Sequence, residues 1–364
     1  MQALKQDIPV KLFSSCFITK GATRSIIIDI QKNQFHYIPN SLYYILKQFN
    51  GKTIQDIKRH YNNEYDGILD EYFDFLNQGN FIFYTTQPDC FPEIDFSFKN
   101  PSDVSNAIIE VNDDILISIQ ETVEQLDELG CKAILIRALT GISLSSINKL
   151  TDCFRNTGIQ FIELVLAYNP SFNYANLTEL FYKENRLFKI IIHSAIENNS
   201  HIFENGEGRG IYFTKEQLSI ETCGNISPSY FALNLRHISE AQSCNTCLNK
   251  KVSIDVNGNV KSCPAISRTY GNLKTTSLKN VLQAGQIKEF WDISKDKINI
   301  CKDCEHRYVC SDCRAFIDNS EDVYSKPSKC SYNPYIGKWK GEEGYISEKE
   351  MSSEEIELVI KDND

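Results

Sequence analysis

The sequence has no apolar run long enough to cross a membrane and no excess of basic residues. A membrane-spanning helix needs roughly 18 or more apolar residues in succession, and the N-terminal segment MQALKQDIPV lacks the apolar core of a signal peptide. We therefore expect a cytoplasmic protein without a membrane span. The net charge of −10 argues against a nucleic-acid partner, because binding phosphate requires a basic face.

The thirteen cysteines do not fit a disulfide framework, because a reducing cytoplasm keeps thiols free. Four of them stand alone in or beside apolar runs, and we expect these to be ordinary core or surface residues. They are Cys16, Cys90, Cys131 and Cys153. The other nine lie between Cys223 and Cys330, so metal binding or catalysis has to explain them.

Residues 1–90 form the first predicted domain. The runs LFSSCFIT, TRSIIIDI and QFHYI predict three strands. Three helices and a closing strand follow, with Ser41 and Thr53 as expected N-caps of the first two helices. This order is typical of a winged helix. The segment holds nine Lys/Arg and nine Asp/Glu, so we favour a protein partner over DNA.

Residues 100–228 form the second predicted domain, in which apolar strands alternate with amphipathic helices. The predicted strands are AIIEV, AILIRAL, FIELVLAY and LFKIIIHSA. Such alternation indicates a parallel sheet with right-handed crossovers, and four units fit a partial β/α barrel or a small open sheet. His193 lies near the end of the fourth strand, and we expect it to be a core or solvated histidine.

Residues 229–340 form a cysteine-rich third domain, and residues 341–364 an acidic tail that we expect to be a solvated helix and a frayed terminus. The third domain is too polar to close a core alone. A structural zinc contributes roughly 10–16 kcal/mol of folding free energy in small domains, so metal binding can compensate. The run IDVNGNVKSC predicts a hairpin that turns at Asn257-Gly258 and positions Cys263.

Eight cysteines of this domain follow a regular spacing. They are Cys244-x2-Cys247, then Gly258-x4-Cys263, then Cys301-x2-Cys304-x5-Cys310-x2-Cys313, and Cys330. Eight thiols make two sites of four, and four-thiolate sites suit either zinc or an iron-sulfur cluster. Cys223 lies outside the pattern and is expected to be structural.

Three other residues lie within the cysteine run. We expect His306 to be at the surface or to contact a ligand from outside the metal site. Arg307 and Arg314 are candidate hydrogen-bond donors to sulfur.

This cysteine run resembles the SPASM domain of radical S-adenosylmethionine enzymes that modify peptides. The resemblance implies a SPASM- or twitch-like domain with two auxiliary 4Fe-4S clusters and interleaved ligands. The first set would be Cys244, Cys247, Cys263 and Cys313, and the second Cys301, Cys304, Cys310 and Cys330. One departure is that two residues separate Cys310 from Cys313, where the family commonly has three. Two zinc ions in the same cages are the alternative.

Two catalytic elements of that family are missing. Radical S-adenosylmethionine enzymes carry C-x3-C-x2-C after the first strand, but AIIEVNDDILISIQETV contains no cysteine. Their Gly-Gly-Glu-Pro motif after the second strand is replaced by ALTGIS. We therefore expect no cleavage of S-adenosylmethionine and a degenerate barrel, and leave open whether the chain catalyses any step.

A degenerate barrel beside an intact twin-cluster domain resembles the bacterial grasp-with-spasm peptide maturation proteins. The segments CEHRYVCSDCRAF and KPSKCSYNPYIGKW are similar to the C-terminal end of that family. The resemblance implies maturation of a ribosomally synthesised precursor peptide together with an ATP-grasp ligase.

Residues 1–90 would then be a recognition element, to which the leader of the precursor adds a strand. The candidate contacts are Phe35, His36, Tyr37, Tyr72 and Phe75. Two alternatives stay open. One is a redox enzyme that uses both clusters on a peptide, and the other is a zinc-stapled peptide-binding or regulatory protein.

Overall fold

The chain is a mixed α/β protein built around a nine-stranded sheet. The structure is a computed structural model, and it describes residues 5–113, 116–203 and 208–363. The strand order of the large sheet is β10-β11-β9-β8-β7-β6-β12-β13-β14. A three-stranded sheet and two paired strands lie in the N-terminal segment, and one further pair lies near the C-terminus.

The N-terminal segment has its strands and helices in the expected order. Its strands are β1 Val10–Leu12, β2 Cys16–Lys20, β3 Ser25–Asp29, β4 Gln34–Ile38 and β5 Ile82–Tyr84. Its helices are α1 Asn40–Gln48, α2 Ile54–His60 and α3 Asp66–Gln78. Strands β2, β3 and β4 form an antiparallel sheet, and β1 pairs with β5. The run LFSSCFIT therefore contributes to two strands instead of one.

The two expected helix caps have different outcomes. Thr53 caps α2, because its Oγ1 accepts a hydrogen bond of 3.0 Å from the backbone N–H of Asp56. The prediction for Ser41 is wrong: α1 begins at Asn40, directly after Pro39 and two residues earlier than a Ser41 cap requires, and it has no side-chain cap. The Ser41 hydroxyl is instead hydrogen-bonded to the Tyr72 hydroxyl at 2.8 Å. Proline at this position presets the extended entry to the helix.

Strand β3 is buried on both faces, which its sequence SIIID permits because it lacks polar alternation. Ile27 packs into the core formed with α1, α2 and α3. Ile26 and Ile28 face the other way and pack with Ile238 and Val309 of the cysteine-rich segment. The cysteine-rich segment therefore lies directly against the N-terminal segment.

The central segment confirms the predicted parallel sheet. Its alternating elements are β6 Asn106–Glu110, α4 Leu116–Glu128, β7 Ala133–Ala138, α5 Leu144–Asp152, β8 Phe161–Ala167, α6 Tyr174–Lys183 and β9 Leu187–His193. The four strands are parallel neighbours in chain order. Two more strands follow, β10 Asn199–Ile202 and β11 Gly210–Phe213, and β11 pairs in parallel with β9.

The cysteine-rich segment extends the same sheet. Its elements are α7 Leu235–Ala241, β12 Lys251–Ile254, β13 Asn259–Lys261, β14 Gly271–Asn272, α8 Leu278–Ala284, β15 Tyr332–Asn333 and β16 Lys338–Trp339. Strand β12 pairs in parallel with β6. The sheet therefore continues across the domain boundary placed at residue 228, with β10 and β14 at its two edges.

The hairpin of β12 and β13 turns at Asn257-Gly258, as predicted. Gly258 has a φ of +83°, a left-handed conformation that favours glycine. The Asp255 carboxylate accepts hydrogen bonds from the backbone N–H of Asn257 at 2.9 Å and of Asn259 at 3.0 Å. This side chain fixes the turn, and Cys263 follows two residues after β13.

The tail forms helix α9, Ser353–Asp362, which has no buried residue. Ser352 and Glu355 form a reciprocal capping box at its start. In the part of the chain that the structure describes, no helix combines the length and apolar character needed to cross a membrane.

Candidate metal centres

All thirteen cysteines are described and free. Of the four isolated ones, Cys16 and Cys131 are buried, Cys153 is half-buried and Cys90 is exposed. Burial raises the pKa of Cys16 to about 11 and of Cys131 to about 12. These two thiols therefore stay protonated at neutral pH and pack as small apolar groups, as expected.

The structure brings together the four thiols expected in the second set. Burial raises the pKa of Cys310 to about 12, Lys295 lowers it, and the thiolates of Cys330 and Cys301 add to the rise. Burial, Glu305 and the thiolates of Cys301 and Cys330 likewise raise the pKa of Cys304 well above its usual value. The four sulfurs therefore share one neighbourhood, and a metal has to displace their protons to bind.

Short turns position these thiols. Residues Cys301–Asp303 form a single 3-10 turn, and the backbone N–H of Cys304 donates to the carbonyl of Cys301 at 3.0 Å. The N–H of Cys310 donates to the carbonyl of His306, also at 3.0 Å. The cysteines separated by two and five residues therefore lie on short turns. Such turns bring several thiols together, which is why the C-x2-C pattern indicates a metal site.

Lys295 is the cation of the second set, and sequence reasoning missed it. Its buried ammonium lies 4.0 Å from the Cys301 sulfur and 3.7 Å from an Asp312 carboxylate oxygen. Burial lowers the pKa of Lys295, but the thiolates of Cys301 and Cys310 and the Asp312 carboxylate outweigh it, so the net change is a rise. Lys295 is therefore charged and offsets thiolate charge.

The two arginines that the sequence suggested as sulfur donors bond to oxygen atoms instead. Arg314 is buried and donates two hydrogen bonds to Asp312, at 2.6 and 2.8 Å. Arg307 donates to Asp296 at 2.8 Å and to the backbone carbonyl of Cys304 at 3.0 Å. Both arginines therefore hold the backbone and carboxylates around the thiols. Burial raises the pKa of Cys301, and the charge of Arg314 lowers it without a hydrogen bond to the sulfur.

His306 is buried beside the second set, so the expectation of a surface position is excluded. Its Nδ1 lies 3.8 Å from the Cys304 sulfur, and its Nε2 is hydrogen-bonded to the Tyr37 hydroxyl at 3.0 Å. Burial lowers the pKa of His306 to about 4. A neutral imidazole therefore links a candidate ligand thiol to the N-terminal segment.

Three of the four thiols expected in the first set also lie together. Cys247, Cys263 and Cys313 line one cavity of about 360 Å³. The fourth thiol that lines this cavity is Cys223, while Cys244 does not line it. The C-x2-C spacing predicts Cys244 as a ligand of the first set, and no local sequence pattern indicates Cys223.

The first set has its own lysine. The Lys251 ammonium lies 3.7 Å from the Cys247 sulfur. Burial lowers the pKa of Lys251, but the thiolates of Cys247, Cys263 and Cys223 outweigh it and raise the pKa overall. Each set of thiols therefore has one lysine ammonium beside it.

A tetrahedral zinc site sets a close spacing between its ligand atoms. Four sulfurs bound to zinc at about 2.3 Å lie about 3.8 Å from one another. Within the described residues, the one set of three candidate ligand atoms that all lie within 4.8 Å of one another belongs to Cys304, Glu305 and His306. No three sulfurs meet that limit. Four thiolates that each bind a different iron of a cubane lie further apart than four thiolates on one zinc ion.

The five predicted peptide contacts divide between the two faces of β4 and helix α3. Phe35 packs with the apolar cluster against the cysteine-rich segment, and Tyr37 is hydrogen-bonded to His306. His36 points the other way, with its ring 6.2 Å from that of Phe75. Tyr72 lies on the same helix as Phe75 and is half-buried. The structure therefore does not place all five residues on one surface.

His193 and Arg137 lie at the carboxyl ends of two parallel strands, β9 and β7. His193 is buried, as expected, and its Nδ1 is hydrogen-bonded to the Ser194 hydroxyl at 3.1 Å. Burial and the nearby Arg137 lower its pKa. Arg137 in turn lies 4.0 Å from Glu110. The sequence after β6 has no cysteine up to Cys131, and the loop 139–143 after β7 has no Gly-Gly-Glu-Pro.

Comparisons with known proteins bear on the cysteine-rich segment. Residues 244–305 match the family model of the SPASM iron-sulfur cluster-binding domain. A search of curated proteins finds no match to the chain. Two solved structures of Streptococcus suis SuiB are similar. The one bound to S-adenosylmethionine is 12% identical, with a TM-score of 0.32, and the alignment covers 89% of this chain and 100% of that chain.

The structure of SuiB bound to the precursor peptide SuiA is 11% identical, with a TM-score of 0.36 and the same coverage of 89% and 100%. Likeness at this level does not decide the fold or activity of the present chain. The family model therefore carries the assignment, and it confirms the prediction of a SPASM iron-sulfur domain for residues 244–305.

Proposed function

We propose that this chain matures a ribosomally synthesised peptide in the cytoplasm. It holds two 4Fe-4S clusters in its cysteine-rich segment and binds the leader of the precursor through residues 1–90. It acts with an ATP-grasp ligase and does not cleave S-adenosylmethionine. The observation that carries the proposal is the presence of two separate groups of four thiols, in a segment that matches an iron-sulfur domain over residues 244–305.

Iron is favoured over zinc by the spacing of the sulfurs. No three thiols among the described residues lie within 4.8 Å of one another, and zinc needs about 3.8 Å between its four sulfurs. Two clusters with four thiolates each carry excess negative charge, and Lys251 and Lys295 lie where they offset it. The cages therefore suit a large, anionic cluster.

Clusters with four thiolate ligands supply electron transfer and hold the chain together, because every iron is already coordinated. The residues of the chain do the rest of the work at these sites. The two lysines stabilise thiolate charge, and Asp312 with Arg314 fixes the backbone between the two groups. A role in structure or in passing electrons follows, and direct binding of substrate to iron does not.

The absence of S-adenosylmethionine chemistry rests on the sequence. Residues 91–130 contain no cysteine, so the loop after β6 has no thiolate for a third cluster. The residues after β7 also lack the motif that contacts the amine of this cofactor in the resembled family. Two independent losses at the two expected places support a barrel that no longer cleaves the cofactor.

Strand β4 offers a place for a peptide strand. It pairs with β3 and is an edge strand of its three-stranded sheet among the described residues. A peptide added there would gain main-chain hydrogen bonds, and side-chain pockets would give specificity. Because Phe35 and Tyr37 contact the cysteine-rich segment, we assign the peptide contacts to His36, Tyr72 and Phe75, of which Phe75 is 36% exposed.

The metal part of the proposal is tested by iron, sulfide and zinc analysis of full-length protein purified without oxygen. We expect about eight irons and eight sulfides per chain, with a broad absorption band near about 400 nm. About two zinc ions in a colourless solution would overturn the assignment of iron-sulfur clusters.

The peptide part is tested with labelled synthetic peptides that correspond to the small proteins encoded beside the gene. Fluorescence anisotropy should show binding by one of them, and Phe75→Ser should weaken it at least about tenfold, or 1.4 kcal/mol. Tyr182→Ser is the matched control, because Tyr182 is an 83% exposed aromatic residue on α6. Equal affinities in all three proteins would contradict the proposed binding surface.

The same preparation tests the absence of radical chemistry. Incubation with S-adenosylmethionine and a strong reductant should give no 5′-deoxyadenosine, since no cysteine motif is present for the third cluster. Its stoichiometric or catalytic formation would show that the cofactor is cleaved after all.

A further inference from the structure

We propose that Cys223, and not Cys244, is the fourth thiolate of the first metal centre, together with Cys247, Cys263 and Cys313. The proposal rests on the presence of metal in that centre, which belongs to the proposed function. It concerns the choice between two thiols, and that choice is testable with iron or with zinc in the cage.

The first observation is the shared cavity. Cys223, Cys247, Cys263 and Cys313 all line one cavity of about 360 Å³, and Cys244 does not. A volume of several hundred cubic ångströms is larger than a single ion needs and accommodates a multi-atom group. Four thiols around one space are the complement that a cubane cluster requires.

The second observation is the close approach of the chain at Gly224 to Cys313. Gly224 has a φ of +80°, and a Cβ atom added to it would lie 2.9 Å from the Cys313 sulfur. A glycine is therefore required here on two grounds, because side chains are disfavoured at this φ and no room exists for one. The residue after Cys223 thus runs in contact with an expected ligand of the same centre.

The third observation is that the Cys223 segment is fixed to the cysteine-rich domain independently of any metal. The Lys329 ammonium donates hydrogen bonds to the backbone carbonyl of Cys223, at 2.6 Å, and to that of Glu221. Three residues later, Ile226 forms a parallel bridge with Cys330, a thiol of the second set. The backbone on both sides of Cys223 is therefore held near both groups by contacts that involve no metal.

Cys244 lies outside this cavity. It follows helix α7, and its sulfur lies 3.6 Å from the Ser243 hydroxyl. Of the two cysteines that could complete the set, Cys223 is therefore the one that lines the space shared by Cys247, Cys263 and Cys313.

The separation in sequence does not count against Cys223. The entropy of closing a flexible loop grows only with the logarithm of its length, so a ligand 24 residues before Cys247 differs from one three residues before it by three doublings of loop length, which does not exclude it. The C-x2-C spacing of Cys244 and Cys247 is therefore a weaker guide than the shared cavity.

The test compares Cys223→Ser and Cys244→Ser in the full-length protein, purified without oxygen. We expect Cys223→Ser to lose about half of the metal of the unmodified protein, and Cys244→Ser to keep all of it. Cys301→Ser serves as a reference that empties the second centre. The opposite pattern, with loss in Cys244→Ser and full metal in Cys223→Ser, would overturn the proposal.

A second measurement avoids the risk that a variant fails to fold. Unmodified, metal-loaded protein is treated with N-ethylmaleimide without oxygen, and each cysteine is quantified by mass spectrometry. Cys223 and Cys90 are both exposed side chains, so a free Cys223 would react as fast as Cys90. We expect N-ethylmaleimide to modify Cys223 at least about tenfold more slowly than Cys90, until a chelator removes the metal. We expect Cys244 to react without chelation.

Equal labelling of Cys223 and Cys90 in the loaded protein would refute the ligand role of Cys223. The result is distinguishable from failure of the proposed function. If the protein binds zinc in place of iron and Cys223 is protected, the iron-sulfur assignment is refuted and the ligand role of Cys223 is kept. If the protein binds iron and Cys223 is reactive, the iron-sulfur assignment is kept and the ligand role of Cys223 is refuted.

Discussion

Each group of thiols has one lysine whose ammonium lies within 4.0 Å of a sulfur: Lys251 beside Cys247 and Lys295 beside Cys301. An ammonium in this position stabilises an anionic cluster and favours its reduced form, because reduction adds one more negative charge. If the two proposed clusters are present, their potentials depend on single side chains that no cysteine motif reveals.

Lys295→Met should shift the reduction potential of the second centre to a more negative value, by tens of millivolts. The free energy of unfolding should also fall by roughly 1–3 kcal/mol, because the buried Asp312 carboxylate loses one of its two cations but keeps its two hydrogen bonds from Arg314. Spectroscopic redox titration and denaturant unfolding measure the two effects.

The matched control is Lys349→Met. Lys349 forms a 2.8 Å ion pair with Asp318 but is 62% exposed, and such surface pairs contribute about 1 kcal/mol or less. An unchanged potential in Lys295→Met would show that its ammonium does not act on the cluster.

Strand β3 is the element that joins the N-terminal and cysteine-rich segments. Its residues are all buried, with Ile27 in the N-terminal core and Ile28 in the cluster that reaches Val309. A strand with two buried faces has a strongly specified register, since a slip by one residue would exchange the two sets of contacts.

Ile28→Ala should lower the free energy of unfolding of the whole chain by about 2–5 kcal/mol, as a cavity is left between the two segments. Ile196→Ala, at a residue that is 76% exposed, should change it by about 0.5 kcal/mol or less. Denaturant unfolding followed by circular dichroism measures both. Similar stabilities for the two variants would mean that β3 is not packed as described.

At the scale of the whole molecule, an ion pair between half-buried Arg24 and buried Glu305 connects residues far apart in sequence. Arg24 donates to the Glu305 carboxylate at 2.8 Å and to the Tyr332 hydroxyl at 3.1 Å. Its guanidinium also lies 3.5 Å from the centre of the Tyr37 ring. Glu305 is 0% exposed, and Arg24 is its cationic partner from the N-terminal segment.

Arg24→Met should therefore destabilise the protein by roughly 3–5 kcal/mol, because it leaves a buried carboxylate without a cation. The double variant Arg24→Met with Glu305→Gln should recover part of this loss, since the uncompensated charge is gone. Unfolding free energies of the four proteins in this cycle give the coupling. Strictly additive losses would show that the pair does not link the two segments energetically.

Local patterns were sufficient for much of the fold. The run QFHYI predicts β4 at Gln34–Ile38, the alternation of apolar strands and helices predicts the parallel order of β6 to β9, and Asn257-Gly258 predicts the hairpin before Cys263. In each of these places a short segment determines its own backbone. The same holds for the second group of thiols, whose ligands sit on consecutive turns apart from Cys330.

Tertiary contacts decide the rest, and the sequence does not show them. The position of Cys223 depends on Lys329 and on the bridge between Ile226 and Cys330, which lie about a hundred residues further on. The contact of Tyr37 with His306 depends on packing between two segments. No periodicity or spacing predicts a contact between residues so far apart in sequence. The sequence therefore does not predict Cys223 as a ligand or the contact of Tyr37 with His306.

Tyr37 and His306 have a consequence for how the molecule can be studied. The Tyr37 hydroxyl bonds to one nitrogen of His306, and the other nitrogen faces the sulfur of Cys304 at 3.8 Å. Two side chains thus separate strand β4 from the second cage. If the proposed cluster fills the second cage, a peptide that pairs with β4 would change the hydrogen bonding around Cys304. The absorption and magnetic resonance spectra of the iron would then report peptide binding.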